Sequence, residues 1–141
     1  MSSQYTKGLK RIIDGNISLL NDNLKFALVD NDLYSVDLDD HEYLSDIDPA
    51  ALVSISASIS GRSVSVDSSL SPHQIFLTCS NAIFTAVSGN TTESIVLFKE
   101  TGNSASSPLI AYYSGVSSQL SPSGNDVDLI VSSSGILRWS R

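Results

Sequence analysis

Cysteine is nearly absent from this sequence, which holds one, Cys79, among 141 residues. A single thiol excludes an intrachain disulfide and any zinc cage built from several cysteines. Cys79 lies in the apolar stretch IFLTCS with no histidine beside it, and free cysteine is among the most buried residue types. We therefore predict that Cys79 is a small core or half-buried residue and not a nucleophile.

Basic residues are also scarce, with 8 Lys and Arg against 15 Asp and Glu, so the formal net charge is -7. Proteins that bind nucleic acid need basic faces for the phosphates and aromatic platforms for the bases. Aromatic residues make up only 7% of the chain, and they do not alternate with basic ones. We therefore expect no nucleic-acid partner.

The sequence lacks the patterns of membrane insertion, secretion and catalysis. It has no apolar run of 18 residues, and its first 15 residues contain no apolar core of signal-peptide type. It also has no Gly-x-Ser-x-Gly motif and no phosphate-cradling glycine loop. We therefore expect no membrane contact, no cofactor, no metal and no enzymatic activity, and we assign no catalytic residue.

Acidic residues are concentrated in one part of the chain, with 10 of the 15 between Asp14 and Asp48. A calcium loop needs a glycine at its bend and a glutamate at its twelfth position. The densest stretch, from Asp30 to Glu42, has neither. Because aspartate is favoured in turns and helix caps on its own account, we interpret this stretch as solvated caps.

Serine is abundant, with 29 residues, yet 41% of the chain is hydrophobic and its mean hydropathy is +0.08. The serines alternate with Val, Ile and Leu, a pattern typical of strands with one buried and one exposed face. Residues 51–67 show this alternation best, and Gly61-Arg62 near their centre fits a two-residue hairpin turn. Such a hairpin would pair Ile59 with Val64, apolar against apolar.

Two short helices are predicted. The first covers residues 5–14, where apolar side chains recur at helical spacing. The second lies near residues 40–47, where Asp39 and Glu42 have the spacing of a capping box and Pro49 ends the segment.

The remaining segments predict a mainly β fold. Strands are expected at 24–29, 74–80, 82–87, 92–99, 109–113, 127–131 and 136–139. Many short strands separated by turn residues are typical of an antiparallel sandwich or barrel. We therefore predict a single domain in which residues 1–15 form an N-terminal arm or short helix and residues 16–141 form an antiparallel β-sandwich or barrel.

Several stretches taken together resemble a family of small virion proteins of tailed bacteriophages. In the first half of the chain they are Tyr5–Leu9, Ile13–Ile17, Asp22–Asp30 with Tyr34 and Asp37, and His41–Ile47. In the second half they are Phe84–Gly89, Ser94–Lys99, Thr101-Gly102 and Ser107–Tyr112. Their order and spacing cover most of the chain. The resemblance implies a structural component of a phage particle, and it supplies no catalytic residue.

Capsid decoration, or cement, is the first function that the resemblance implies. The protein would be made in the host cytoplasm and lie on the outer surface of the virion head. There it would contact the major capsid protein and neighbouring copies of itself as a homo-oligomer, with a trimer as one arrangement. One alternative is a tail, baseplate or fibre-associated virion protein. The other is a carbohydrate-binding or adhesin module, with Tyr112, Tyr113 and Trp139 lining a sugar site.

Residues 1–15 are the candidate partner contact, because they hold three of the eight basic residues next to three apolar ones. The candidates are Lys7, Leu9, Lys10, Arg11, Ile12 and Ile13. We predict that this arm contacts a neighbouring subunit or the shell protein and does more than cover its own core.

Overall fold

The computed structural model describes residues 2–115 and 122–140, so Met1, residues 116–121 and Arg141 of the predicted domain lie outside it. The described residues contain one α-helix, α1 (Thr6–Ile13). Their strands are β1 (Ser2–Gln4), β2 (Leu24–Val29), β3 (Leu52–Ile55), β4 (Ser63–Asp67), β5 (Gln74–Thr78), β6 (Ala82–Phe84), β7 (Ser94–Lys99), β8 (Leu109–Ser114), β9 (Val127–Leu129) and β10 (Leu137–Ser140). Short 3-10 turns span Leu44–Asp46, Pro49–Ala51 and Ser104–Ser106.

The strands form three antiparallel sheets. A five-stranded sheet has the order β1-β8-β7-β2-β3, a three-stranded sheet has the order β10-β5-β4, and β6 pairs with β9. In the described part of the chain these sheets do not close into a barrel. The prediction of a mainly β, sandwich-like antiparallel fold is therefore confirmed.

The central strands β8, β7 and β2 of the five-stranded sheet are buried on both faces. Along β2, Phe26 and Leu28 point into a core shared with the other two sheets, while Ala27 and Val29 point into a second core on the opposite face. Residues 30–51 cover that second core with Tyr34, Leu44, Ile47 and Ala51. A strand packed on both faces needs apolar residues throughout, which explains the near-continuous run LKFALV.

The predicted hairpin over residues 51–67 is wrong. β3 pairs with β2, whereas β4 pairs with β5 in a different sheet. Ile59 is 6% exposed and its amide donates to the Leu24 carbonyl, while Val64 is 46% exposed. Residues 56–62 thus carry the chain from one sheet to the next. Gly61 has a φ of +63°, so the chain does turn at the predicted position. This turn connects strands of two different sheets, however, and not two strands paired with each other.

The predicted helix near residues 40–47 is also wrong, because only the 3-10 turn Leu44–Asp46 forms there. Tyr43 is extended and bridges to Pro108, and the Leu44 amide donates to the Ser107 carbonyl at 2.8 Å. These backbone groups are used in pairing with the segment before β8, so they are not free for a helix. Pro49, which was expected to end a helix, instead begins the 3-10 turn Pro49–Ala51.

The N-terminal arm is built into the fold. β1 forms an edge of the five-stranded sheet by pairing with β8. Tyr5 is fully buried, and its hydroxyl lies 2.9 Å from the Tyr34 hydroxyl. The Tyr34 hydroxyl also lies 2.9 Å from Nδ1 of His41. The predicted helix over residues 5–14 is confirmed as α1, within one residue at each end. Deleting the arm would remove core side chains. Point variants are therefore the appropriate way to test whether the arm contacts a partner.

Cys79 is buried among the residues of the main core, as predicted. Burial raises the pKa of its thiol, which disfavours the thiolate that a nucleophile needs. In the described residues, no helix has both the length and the apolar character to span a lipid bilayer.

Candidate interaction surface

The basic side chains of α1 are bound to the acidic stretch of their own chain. Lys7 Nζ donates to the Asp40 carbonyl at 2.8 Å. Arg11 donates to Glu42 Oε1 at 2.8 Å and to the Tyr43 hydroxyl at 2.7 Å, and its guanidinium lies over the Tyr43 ring. Lys7 and Arg11, both predicted to contact a partner, therefore hold the helix against residues 40–43.

The other predicted contact residues divide between the inner and outer faces of α1. Ile12 packs against the main core, and half-buried Leu9 lines a shallow groove with Trp139. Lys10 is exposed and pairs with Asp14, four residues on, at 2.9 Å. Ile13 is 78% exposed, the largest value for any large hydrophobic residue in the described part of the chain. Lys10 and Ile13 are thus the two candidates directed outward.

The acidic stretch works as a set of caps, in line with the interpretation of its sequence. Asp37 accepts from the amides of Asp39 and Asp40, and Asp48 accepts from the amide of Ala50. Asp46 accepts from the amides of Glu42 and Tyr43 at 2.7 and 2.9 Å. The expected capping pair of Asp39 and Glu42 does not form, and Asp46 takes the capping position instead.

Asp46 should make the free energy of unfolding depend on pH in the acidic range. Partial burial alone would raise the pKa of this carboxyl, but the two backbone amides outweigh it and hold the pKa below 3.8. A carboxyl whose pKa is lower in the folded protein than in the unfolded chain stabilises the fold at pH values above the unfolded pKa. This stabilisation is lost as the pH falls through the pKa of the folded protein. We expect Asp46→Asn to lower the free energy of unfolding by about 1 kcal/mol at pH 7, because the amide oxygen can still accept these bonds but lacks the charge that strengthens them.

Urea denaturation of wild type and Asp46→Asn from pH 7 down to pH 3 measures this effect. The difference between the two proteins should shrink steadily as pH falls. Asp128→Asn, an equal charge change at an exposed position of β9, is the control and should show a smaller difference at pH 7. A difference for Asp46→Asn that stays constant with pH would contradict the assigned role.

One group of carboxylates could geometrically hold a cation. Oxygen atoms of Asp30, Asp32 and Glu93 all lie within 4.8 Å of one another. Glu93, which comes 61 residues after Asp32, is brought there because β2 pairs with β7 at Val29 and Ser94. No sequence spacing could have indicated it. Two of the carboxylates already accept hydrogen bonds from backbone amides, Asp30 from Asp32 and Glu93 from Asn31. These bonds within the loop account for the closeness of the carboxylates.

The aromatic residues that a sugar site would need are used in internal contacts. The Tyr112 hydroxyl accepts from the Asn31 side chain at 2.8 Å, and the Tyr113 hydroxyl donates to the Ile136 carbonyl at 2.6 Å. Trp139 is half-buried, packs against the main core and donates from Nε1 to Gln4 at 3.3 Å. These three rings fill gaps in the fold and do not gather into an open platform.

A contiguous apolar patch lies where the three-stranded sheet extends past the core. Val64 and Val66 of β4 are two residues apart and so share a face. Ile75 of β5 is the cross-strand partner of Val66, and Trp139 of β10 is the next partner along. Val64, Val66 and Ile75 are 46%, 63% and 47% exposed. We call these four residues the β4–β5 patch.

Sequence reasoning missed this patch, although the alternation of Val64 and Val66 with serine was visible. The hairpin prediction assigned both valines to a buried face against Ile59 and Ala57. The pairing of β4 with β5 leaves them at the sheet edge instead.

The chain matches no known family model, and a comparison with curated proteins finds no match for it either.

Proposed function

We propose that this protein is a structural component of a tailed-phage particle that decorates the head from outside and strengthens the shell. The observation that carries the proposal is the exposure of large apolar side chains, with Ile13 on α1 and the β4–β5 patch. Contiguous apolar side chains that a small domain leaves exposed mark an interaction site. The resemblance to phage virion proteins supports a particle as the setting, with the major capsid protein and further copies of this chain as partners.

The distribution of polar groups supports a role in binding over one in chemistry. Asp37, Asp46 and Asp48 accept backbone amides, Glu42 pairs with Arg11, and Cys79 is a buried thiol. These groups are already engaged in holding the fold. A decoration protein needs only a contact surface. It stabilises the shell because it binds the assembled shell and does not bind the free subunits.

The charge of the chain favours an outer position. Packaged DNA is a dense polyanion, and a net charge of -7 is repelled from it. Contact with the shell should then rely on apolar and hydrogen-bonded area. We assign the shell contact to the outward residues of α1, Lys10 and Ile13, because the rest of the helix holds them in a fixed position.

Heat-induced release of DNA from particles tests the function. Particles that lack the protein should release DNA at a lower temperature than particles to which the purified protein has been added back. We expect Ile13→Asp to bind particles about 30-fold more weakly, since it loses the burial of one large side chain, about 2 kcal/mol. Ile130→Asp, an equal change at a residue that is 71% exposed, is the matched control and should bind normally.

Each outcome of this experiment has a clear meaning. Equal release temperatures with and without the protein would overturn the cement function. Labelled protein found only on tails would favour the tail or baseplate alternative. Equal weakening by Ile13→Asp and Ile130→Asp would remove α1 as the shell contact while leaving the decoration function in place.

A further inference from the structure

The free edge of β4 is open to another strand. β4 is the last strand of its sheet, with β5 on one side only, and its residues Ser63–Val66 are all exposed. Among the described residues, none makes a backbone hydrogen bond to β4 from its open side. A row of unpaired amides and carbonyls at a sheet edge is a template for pairing with another chain.

This edge also lacks the features that usually block such pairing. Protected edges carry lysine, proline or a β-bulge. β4 reads SVSVD, and its pairing with β5 runs from Ser63 to Asp67 without a register shift. Its only charged residue, Asp67, is at one end and is paired with Arg138 at 2.6 Å. The edge is therefore free of bulges and nearly neutral.

The charge distribution favours a second copy of the chain as the occupant. Residues 49–92 hold one Arg and one Asp, Arg62 and Asp67, at opposite ends of β4. Both side chains are engaged within their own chain, Arg62 by the carbonyls of Leu19 and Asp22 and Asp67 by Arg138, so the edge itself presents little net charge. An antiparallel partner strand of the same sequence would bring the Arg62 end of each copy beside the Asp67 end of the other. Two chains that each carry a net charge of -7 repel each other, and they repel least along a nearly neutral edge such as this one.

We propose that two copies pair through β4 as antiparallel strands, with a two-fold axis at Ser65. In this register Val64 of each copy lies opposite Val66 of the other, and Ser63 lies opposite Asp67. A shift by one residue would place valine opposite serine, and a shift by two would leave one valine pair where the proposed register has two. The β4–β5 patches of the two copies then join into one apolar surface.

The expected strength of this contact fits a protein that works in many copies. Five paired residues span only about 17 Å, and a stable complex usually buries about 800 Å² on each partner. We therefore expect a dissociation constant of about 100 μM to 1 mM in solution. Copies held side by side on a shell reach millimolar effective concentrations, at which the contact forms. Only the setting on a shell rests on the proposed decoration function; the weak dimer in solution does not.

A cysteine at the proposed axis tests the register in the purified full-length protein. Two antiparallel residues directly opposite each other have Cα atoms about 4.5–5.5 Å apart, which suits a disulfide. Ser65→Cys should therefore form a covalent dimer under mild oxidation. Ser63→Cys is the matched control, because its two Cα atoms would lie about 14 Å apart in the same register. Both variants keep the buried Cys79, and wild type shows how much that thiol contributes.

Sedimentation up to about 1 mM protein measures the reversible dimer, for which we expect the weak affinity given above. Val66→Lys adds the residue that protects natural edges and should weaken dimerisation at least tenfold, while Ile130→Lys should leave it unchanged. Monomers at every concentration, or equal cross-linking of Ser65→Cys and Ser63→Cys, would overturn the inference. A dimer that forms normally from protein that does not bind particles would overturn only the decoration function.

Discussion

Replacing Gly8 with alanine should lower the free energy of unfolding by about 3 kcal/mol, at the upper end of the cost of overpacking a core. Gly8 is buried in α1 where the helix crosses β8. A Cβ atom there would lie 2.1 Å from the Leu109 carbonyl oxygen and 3.0 Å from the Ile110 Cα. Both atoms belong to the backbone of a central strand, so relieving the clash requires the helix to move away from the sheet.

The sign of this effect separates packing from helix propensity. At a free helix position, glycine to alanine is stabilising by about 1 kcal/mol. Lys10→Ala, at an exposed position of the same helix, is the control and should change stability little. Urea denaturation monitored by circular dichroism gives both values. An unchanged or more stable Gly8→Ala protein would show that α1 does not press on β8 as the structure has it.

Local sequence signals predicted most elements of the fold but few of their partners. The runs LKFALV and SIVLFK are apolar throughout, and β2 and β7 lie where strands were predicted. Their pairing connects residues about 70 positions apart, for which the sequence offers no local signal. Likewise, Gly8 weakens a helix prediction because glycine is a poor helix former. Only the contact with β8 explains its presence in α1.

The hairpin prediction failed because a local pattern was compatible with two different pairings. The alternation in residues 51–67 matches itself around Gly61-Arg62, yet each half has a longer-range partner that completes a sheet. β3 extends the five-stranded sheet, and β4 extends the three-stranded one. Cross-strand complementarity restricts register, but it does not identify the neighbour when several strands share the same alternation.

The candidate surface was predictable in part. The mixture of basic and apolar residues in α1 was visible, but its binding to the acidic stretch depends on the fold bringing residues 7–11 next to residues 40–43. That internal pairing leaves Ile13 and Lys10 outward and gives the helix a fixed orientation. The apolar patch at β4 depends in the same way on a sheet edge that no local pattern identifies.

Ser56→Ala should lower the free energy of unfolding by about 2 kcal/mol, although serine alternation placed this residue on an exposed face. Ser56 is 3% exposed, directly after the end of β3. Its hydroxyl accepts from the Phe26 amide at 3.0 Å and donates to the Ala57 carbonyl at 2.7 Å. Alanine would leave the buried Phe26 amide without this partner, and an unsatisfied buried group costs about 1–3 kcal/mol.

Ser58→Ala provides a control with the same chemistry, because Ser58 belongs to the same alternation and is exposed. We expect its free energy of unfolding to stay within about 0.5 kcal/mol of wild type, as is usual for surface substitutions. Hydrogen exchange of the Phe26 amide gives a second measurement that general destabilisation would not reproduce. In Ser56→Ala this amide should lose more protection than its neighbour Ala27, whereas equal losses at both would contradict the assigned bond. The Ser56 hydroxyl thus replaces a backbone partner at the point where β3 stops and the chain leaves the sheet.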